Sequence, residues 1–415
     1  MRARTANDPA VEAPRDDRTQ LLLALGRGLH QAGITTDILE TTLHDVAVCC
    51  GVALEVNALP TSLTLAVGPG LAQRLIIVRL EPGRLHLRKL ALLEGVVDAL
   101  RRGRRSPGDA LADVTRIDAA VQPDPPWYSV MAYALLSCGT ALLLGGGVFD
   151  VLVSSLTGIA IGAIAALAQR WRRIDRVFEI SAAFVATVIV ALWEHFVGPI
   201  SLYVVVVAGV VQLLPGYSLT TALNELANRN LVSGTARLGG VFVTLLSLGC
   251  GFALGAGLGG NEILNGPTVS PGHTTLLYTI LAPVLMGGGI ALILHARFRD
   301  IGWIVVACVT TIALARFFTA LGITEASPFA TAFSLGLATN WTARFLRIPQ
   351  AVVLVPALLV LVPGSLSYES LLYVFQADPT DAVSLAVRAL LAAILIVAGF
   401  LTSQLLAPPS RRLAA

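Results

Sequence analysis

Two short apolar runs in this chain end in nearly the same phrase. One is Leu213-Leu214-Pro215-Gly216-Tyr217-Ser218-Leu219 and the other is Leu361-Val362-Pro363-Gly364-Ser365-Leu366-Ser367. Proline lacks the N–H that a continuing helix needs, and it disfavours helical backbone in the residue before it. Each phrase therefore stops a hydrophobic helix abruptly. Each lies near the middle of a strongly apolar half of the chain. Paired, interrupted and unusually short segments at corresponding positions of two halves mark the binding site in many secondary transporters.

Composition supports a membrane setting. Of 415 residues, 55% are hydrophobic and 13% charged, against about 25% charged in an average soluble domain. The charge is concentrated in the first 126 residues, which implies a soluble N-terminal domain joined to a polytopic membrane domain. The net charge of +3 is too small to indicate nucleic acid. Lys89 is the one lysine; the other basic side chains are arginines. The polar first twenty residues lack the apolar core of a signal peptide. Cys49, Cys50, Cys138, Cys250 and Cys308 show no metal-ligand or redox spacing, and no nucleotide-binding motif is present. No cofactor or metal is expected, nor ATP as a driving force.

Residues 1–18 read as a disordered tail. The stretch 19–122 reads as a small α+β domain: helical periodicity over Leu21–Val52 with a break at Gly33, three strands between Leu54 and Arg79, then helices over Leu85–Arg102 and Ser106–Val121. A proline-rich linker spans 123–128. Ten apolar segments follow. The first five occupy 129–258: Ser129–Gly147, Val151–Gln169, Val177–Phe196, Gly198–Leu214 and Leu238–Leu258. An outer loop covers 259–273. The second five occupy 274–406: Thr274–His295, Gly302–Leu321, Ser327–Thr342, Ala351–Val362 and Ala382–Leu406. Residues 407–415 form a tail.

Arginine placement tests this count. With the N-terminal domain cytoplasmic, one side holds Arg170, Arg172, Arg173 and Arg176, then Arg229 and Arg237, Arg297 and Arg299, Arg344 and Arg347, and Arg411 and Arg412. The loops of the other side contain no Lys or Arg, as the positive-inside rule requires for ten spans with both termini cytoplasmic. The two Pro-Gly phrases end the fourth and ninth segments, so they face opposite sides. Two five-helix halves in opposite orientation make an inverted repeat.

A ninth segment of about 12 residues is too short for a core of about 30 Å, and broken backbone at that depth must line protein or water. The expected substrate site therefore comprises Pro215, Gly216, Tyr217, Ser218, Thr221 and Asn224 with Pro363, Gly364, Ser365 and Tyr368. Hydroxyls and freed N–H groups there can hold a small carboxylate or zwitterion. Arg316 and Arg388, near the outer ends of the seventh and tenth segments, either attract a substrate carboxylate or snorkel to the interface. Intramembrane acids are costly and usually functional, which makes Glu225, Glu369 and Asp150 the candidates for proton coupling. Asp150 also opens a helix, where it can serve as a cap. Gly251, Gly255 and Gly259 form a small-residue packing face.

With these residues in view, the chain resembles the bacterial threonine/serine exporter family in its fused, two-module form. The resemblance rests on Gly28-Leu29-His30-Gln31-Ala32-Gly33 with Glu40, on Leu59-Pro60-Thr61, and on Gly145-Gly146 with Asp150. It rests further on Leu214 to Thr220 continuing through Asn224-Glu225 to Arg237-Leu238, and on Ser327-Pro328-Phe329 through Trp341 to Gly364. It implies a cytoplasmic N-terminal domain, ten helices and export of threonine, serine or a similar small amino acid by proton antiport. The implied site is the cytoplasmic (inner) membrane of a bacterium. Split relatives export dicarboxylates such as succinate, which is the alternative substrate class. A sensor or a membrane enzyme using the N-terminal domain is a further alternative, although no nucleophile–base pair supports catalysis. The partners are the amino-acid substrate, the proton and the lipid bilayer, with homo-oligomerisation left open.

Overall fold

A computed structural model describes residues 16–81, 83, 85–120, 125–259, 276–346, 348–362, 370 and 379–406. The described residues fall into two compact units, 16–120 and 125–406.

The first unit is α+β. Helix α1 (Asp17–Gln31) ends before Gly33, whose φ of 80° turns the chain into α2 (Thr36–Cys50). Gly51 closes α2 in the left-handed conformation that glycine adopts without strain. Strands β1 (Leu54–Leu59), β2 (Ser62–Val67) and β3 (Arg74–Arg79) form an antiparallel sheet in sequence order. Pairing of Leu63 with Val78 and of Leu65 with Ile76 sets one apolar face. Leu63 and Leu65 are fully buried with Leu21, Leu22, Leu25, Leu29 and Leu43 from the helices. Helices α3 (Leu87–Arg101) and α4 (Pro107–Ala120) complete the unit. The expected break at Gly33, three strands and two closing helices are all present.

The motif residues of this unit bind its parts together. Ala58 N–H donates to Glu40 Oε1 at 2.7 Å, and His30 Nε2 lies 3.2 Å from Leu59 O. Both hold the end of β1 to the helices. Lys89 Nζ pairs with Asp118 at 2.8 Å and donates to Gln31 Oε1 at 3.1 Å. Burial raises the Glu40 carboxyl above its ordinary range, with Asp37 adding to the shift and the Ala58 N–H opposing it.

The described residues of the second unit form helices and the turns between them, and each of the ten apolar segments contains or lies in a helix. In order these are α5 (Pro126–Leu143), α6 (Val148–Arg170), the short α7 (Arg172–Asp175), α8 (Phe178–Phe196) and α9 (Leu202–Val210). After a 3₁₀ turn come α10 (Gly216–Ala227), α11 (Leu231–Gly259), α12 (Leu276–Ile293), α13 (Phe298–Ala320), α14 (Ser327–Phe345), α15 (Gln350–Leu361) and α16 (Pro379–Leu406). Among the described residues five helices are long and apolar enough to cross a membrane, or six with the bent pair Leu202–Leu213 and Gly216–Ala227 counted as one span. The chain is a polytopic helical membrane protein. Helix α10 lies where a loop was expected, and α11 starts at Leu231, earlier than Leu238.

Helix lengths repeat between the halves. Helices α6 and α13 each have 23 residues, and α8 and α14 each have 19. The turn after α5 contains Gly145 with φ 77°, and the turn after α12 contains His295 with φ 52°.

Packing repeats as well. A Cβ on Gly139 would stand 2.7 Å from Met286 N and 2.8 Å from Ala282 O; one on Gly289 would stand 2.8 Å from Leu136 N and 2.9 Å from Ala132 O. Gly139 and Gly289 occupy the same place in their helices, as do Ala132 and Ala282, and Leu136 and Met286. The α5–α12 contact is thus isologous, as across a two-fold axis. Rising numbers in α5 meet falling numbers in α12, so the two helices are antiparallel. Tyr128, at the start of α5, stacks on His295, just past α12, at 5.7 Å.

Elsewhere, Gly251 on α11 abuts Ile180 and Ala183 of α8, while Gly399 on α16 abuts Phe329 and Ala332 of α14. The next contact reverses its small partner: Gly255 faces Thr187, whereas Gly336 faces Ser403. Only one of two opposed positions must lack a side chain for the helices to close. The glycine face at Gly251 and Gly255 is therefore a packing seam against α8.

Candidate functional site at the broken helix

Four consecutive valines, Val204–Val207, are fully buried in α9. Ser201 caps this helix by accepting from Val204 N–H. The helix tightens to 3₁₀ over Val211–Leu213, Leu214 becomes extended (φ −62°, ψ 122°) and Pro215 follows. Helix α10 then resumes at Gly216, bent 51° from the first part. No side chain caps its N-terminus. Pro215, Gly216, Thr220 and Thr221 are buried, Tyr217 is half-buried and Ser218 is exposed.

A left-handed Arg229 (φ 65°) reverses the chain after α10, and Asn230 N–H donates to Glu225 O at 2.8 Å. Gly234 lets α11 close on Leu226 and Ala222 of α10. This hairpin brings Arg237 to Glu225. Arg237 Nε donates to Glu225 Oε2 at 2.9 Å; the glutamate side chain is 0% exposed and the arginine 27%. Beside the pair, Asn224 Oδ1 is buried without a hydrogen-bond partner among the described residues. Helix α10 also packs on α15 and α16, so this hairpin reaches the second half.

The structure joins Pro215, Gly216, Thr221, Asn224 and Glu225 in one element and adds Arg237. Asp150 stands apart and acts as a cap: its oxygens accept from Gly147 N–H and from Ser201 N–H, each at 2.8 Å. Arg316 donates to Thr279 Oγ1 at 3.2 Å on an exposed face, and Arg388 is exposed on α16. Pro363, Gly364, Ser365, Tyr368 and Glu369 lie outside the described residues; α15 ends at Leu361 with Val362 extended (φ −69°, ψ 137°). Ser370 Oγ donates to Ala382 O at 2.6 Å. The described residues include no group of three or more His, Cys, Asp or Glu that could hold a metal ion.

Sequence reasoning passed over Arg237. Arg237 sits in the matched motif but counts there only as a loop charge.

A family described as putative threonine/serine exporter matches residues 20–259, and a second, described as threonine/serine exporter, ThrE, matches residues 279–406. The chain belongs to the threonine/serine exporter family. The family covers both the α+β unit and the helical unit, and its two parts meet between α11 and α12. Relatives include the pheromone-regulated membrane protein 10 of Kluyveromyces lactis, 27% identical over 308 residues, and that of Debaryomyces hansenii, 28% identical over 258. These matches cover 71% and 60% of this chain but only 32% and 26% of the yeast proteins. No solved structure matches the chain.

Proposed function

We propose that this exporter-family protein moves threonine, serine or a similar small amino acid out of the cell in exchange for protons. The observation that carries the reading is the buried Glu225–Arg237 pair on a broken helix that reaches the second half. An amino acid carries one carboxylate and one ammonium, so it can take over both members of such a pair. Ionised Glu225 takes the substrate ammonium while Arg237 takes its carboxylate, and protonation of Glu225 removes the partner of the ammonium and releases the substrate. A substrate and a proton thereby compete for one site, which is the requirement for antiport. Asn224 Oδ1 supplies an acceptor for the ammonium or a side-chain hydroxyl. The Pro363–Gly364 segment, with Ser365, Tyr368 and Glu369, would complete the site from the second half.

The antiparallel, isologous α5–α12 contact and the repeated helix lengths support an inverted repeat of two five-helix modules. The arginine pattern supports ten spans with both termini and the α+β unit cytoplasmic, in a cytoplasmic membrane.

Reconstitution in liposomes with labelled threonine, serine and succinate tests the reading. Movement of threonine or serine that follows an imposed proton gradient and stops in Glu225→Gln is the expected result. Succinate movement alone would transfer the protein to the dicarboxylate class. Absence of all movement would overturn the exporter reading.

A further inference from the structure

Buried threonines of the helical unit satisfy their hydroxyls within their own helices. Thr140, Thr157, Thr187 and Thr311 each donate to the carbonyl four residues earlier, at 2.8, 2.8, 2.9 and 2.7 Å. Thr331 on α14 does not. It is 0% exposed, and its Oγ1 has no hydrogen-bond partner among the described residues. A buried hydroxyl left unpaired costs stability, so such a group calls for a partner.

The repeat shows that the scaffold does not need this hydroxyl. Gly251 abuts Ile180 and Ala183 of α8, and Gly399 abuts Phe329 and Ala332 of α14. Ile180 thus corresponds to Phe329, and Ala183 to Ala332. On that alignment the counterpart of Thr331 in the first half is Ala182, which is also 0% exposed. A methyl group suffices in one half, and a hydroxyl stands in the other.

Two hydrogen bonds and one apolar cluster place Thr331 along its neighbours. Ser327 Oγ donates to Ala315 O at 3.2 Å on α13, and Gln350 Nε2 of α15 donates to Asn340 Oδ1 at 2.8 Å. Between these bonds Leu335 shares a cluster with Ala307 of α13 and with Val353 and Ala357 of α15, and Leu361 packs against it. Thr331 lies one turn before Leu335 on the same face of α14. It therefore comes level with Thr311 on α13 and with Leu359 on α15, close to where α15 ends at Leu361. Pro363-Gly364, the second of the two phrases, follows two residues later. Ser154 is the other hydroxyl of the helical unit without a partner among the described residues. It lies between the Asp150–Ser201 and Thr157–Gly209 contacts, beside the middle of α9 and away from its break.

We propose that Thr331 is a substrate-binding residue whose hydroxyl pairs with the side-chain hydroxyl of the amino acid, selecting serine and threonine over alanine and valine. This rests on the exporter reading above. A threonine hydroxyl donates one hydrogen bond and accepts others, so it can meet a substrate hydroxyl in either sense. An amino acid with an apolar side chain offers it nothing and leaves it buried and unpaired, which is the stronger form of discrimination. Helix α15, whose end Thr331 approaches, also packs on α10, which carries Glu225. The first half thus supplies the charges for the amino-acid backbone, and the second half reads the side chain.

The test follows labelled serine and threonine in liposomes containing the full-length protein, with unlabelled alanine and valine as competitors, beside thermal melts in detergent. Thr331→Val keeps the shape and removes the hydroxyl. It is expected to raise KM for serine and threonine about tenfold, the worth of one hydrogen bond, and to spare kcat and the competition by alanine. Its melting temperature should be equal or higher, because an unpaired buried hydroxyl has gone. Thr331→Ser should retain the KM of the unaltered protein. Ser154→Ala should leave every KM unchanged.

An unchanged KM for serine and threonine in Thr331→Val would overturn this inference alone. So would a lowered melting temperature with equal weakening of serine and alanine, which would make Thr331 a structural residue. If the unaltered protein moves neither serine nor threonine, the exporter reading fails and this inference with it.

Discussion

The two halves of the helical unit, α5–α11 and α12–α16, share helix lengths, turn geometry and packing seams among the described residues, yet their buried polar groups do not correspond. The first half contains the Glu225–Arg237 pair on α10 and α11. The residue of α16 matching Arg237 is Leu385, so the second half has no such pair there. Asp150 is locked by two backbone donors, whereas the residue that matches the donor Ser201 in the second half is Pro349, which has no N–H to give. Packing is thus held in common, and polar chemistry has separated. A two-fold scaffold needs like shapes at its seam, because helices close only where a small residue meets backbone. It places no such demand on a buried charge, which needs only a partner in its own half.

That contrast can be broken most severely at Glu225. Glu225→Leu leaves Arg237 partly buried without its counter-charge, and the expected cost is about 3 kcal/mol. The double change Glu225→Leu with Arg237→Met should recover most of that stability and none of the transport. Thermal melts in detergent beside transport in liposomes read both. A double variant that still transports would remove the pair from the mechanism.

The shared seam is tested next. Gly139→Val and Gly289→Val each force a side chain into backbone of the facing helix, at an expected cost of about 1–3 kcal/mol. Because the contact is isologous, the two losses of melting temperature should be alike. A large difference between them would mean that the halves are not held by a two-fold seam.

The smallest expected effect lies in the α+β unit. Burial raises the Glu40 carboxyl above its unfolded value. The folded unit therefore binds a proton more readily than the unfolded chain, and this contribution to stability is lost as pH rises through the carboxylate range. Hydrogen exchange over residues 16–120 of the full protein should show protection falling with pH across that window. Glu40→Gln should flatten the dependence. Protection that rises with pH in the unaltered protein and is unaffected by Glu40→Gln would contradict this account.

Much of the architecture was legible beforehand because it follows from local signals. The strand-like runs Ser62–Val67 and Arg74–Arg79 between turn residues, glycine at the end of α1, and apolar runs of helical length all act within a few residues. The break at Pro215 was equally plain, since proline terminates a helix without tertiary help. The site was legible only in part. Asn224 and Glu225 follow the break and drew attention as polar groups in an apolar setting. Arg237 lies twelve residues further on, and only the hairpin at Arg229 and the close approach at Gly234 bring it to Glu225. Asp150 was read as an ion carrier or a cap; its two backbone bonds, one from Ser201 far along the chain, show the cap.

By itself, then, the sequence determined the α+β unit, the helical segments, the interruption and the chemical character of the residues beside it. These depend on periodicity, backbone restriction and hydropathy, which are properties of neighbouring residues. Tertiary structure alone decided that Gly139 and Gly289 are equivalent, that Glu225 is paired, and that Asp150 is held by Gly147 and Ser201. Those facts depend on which backbone donors and which side chains converge from distant parts of the chain, and convergence is set by how helices pack.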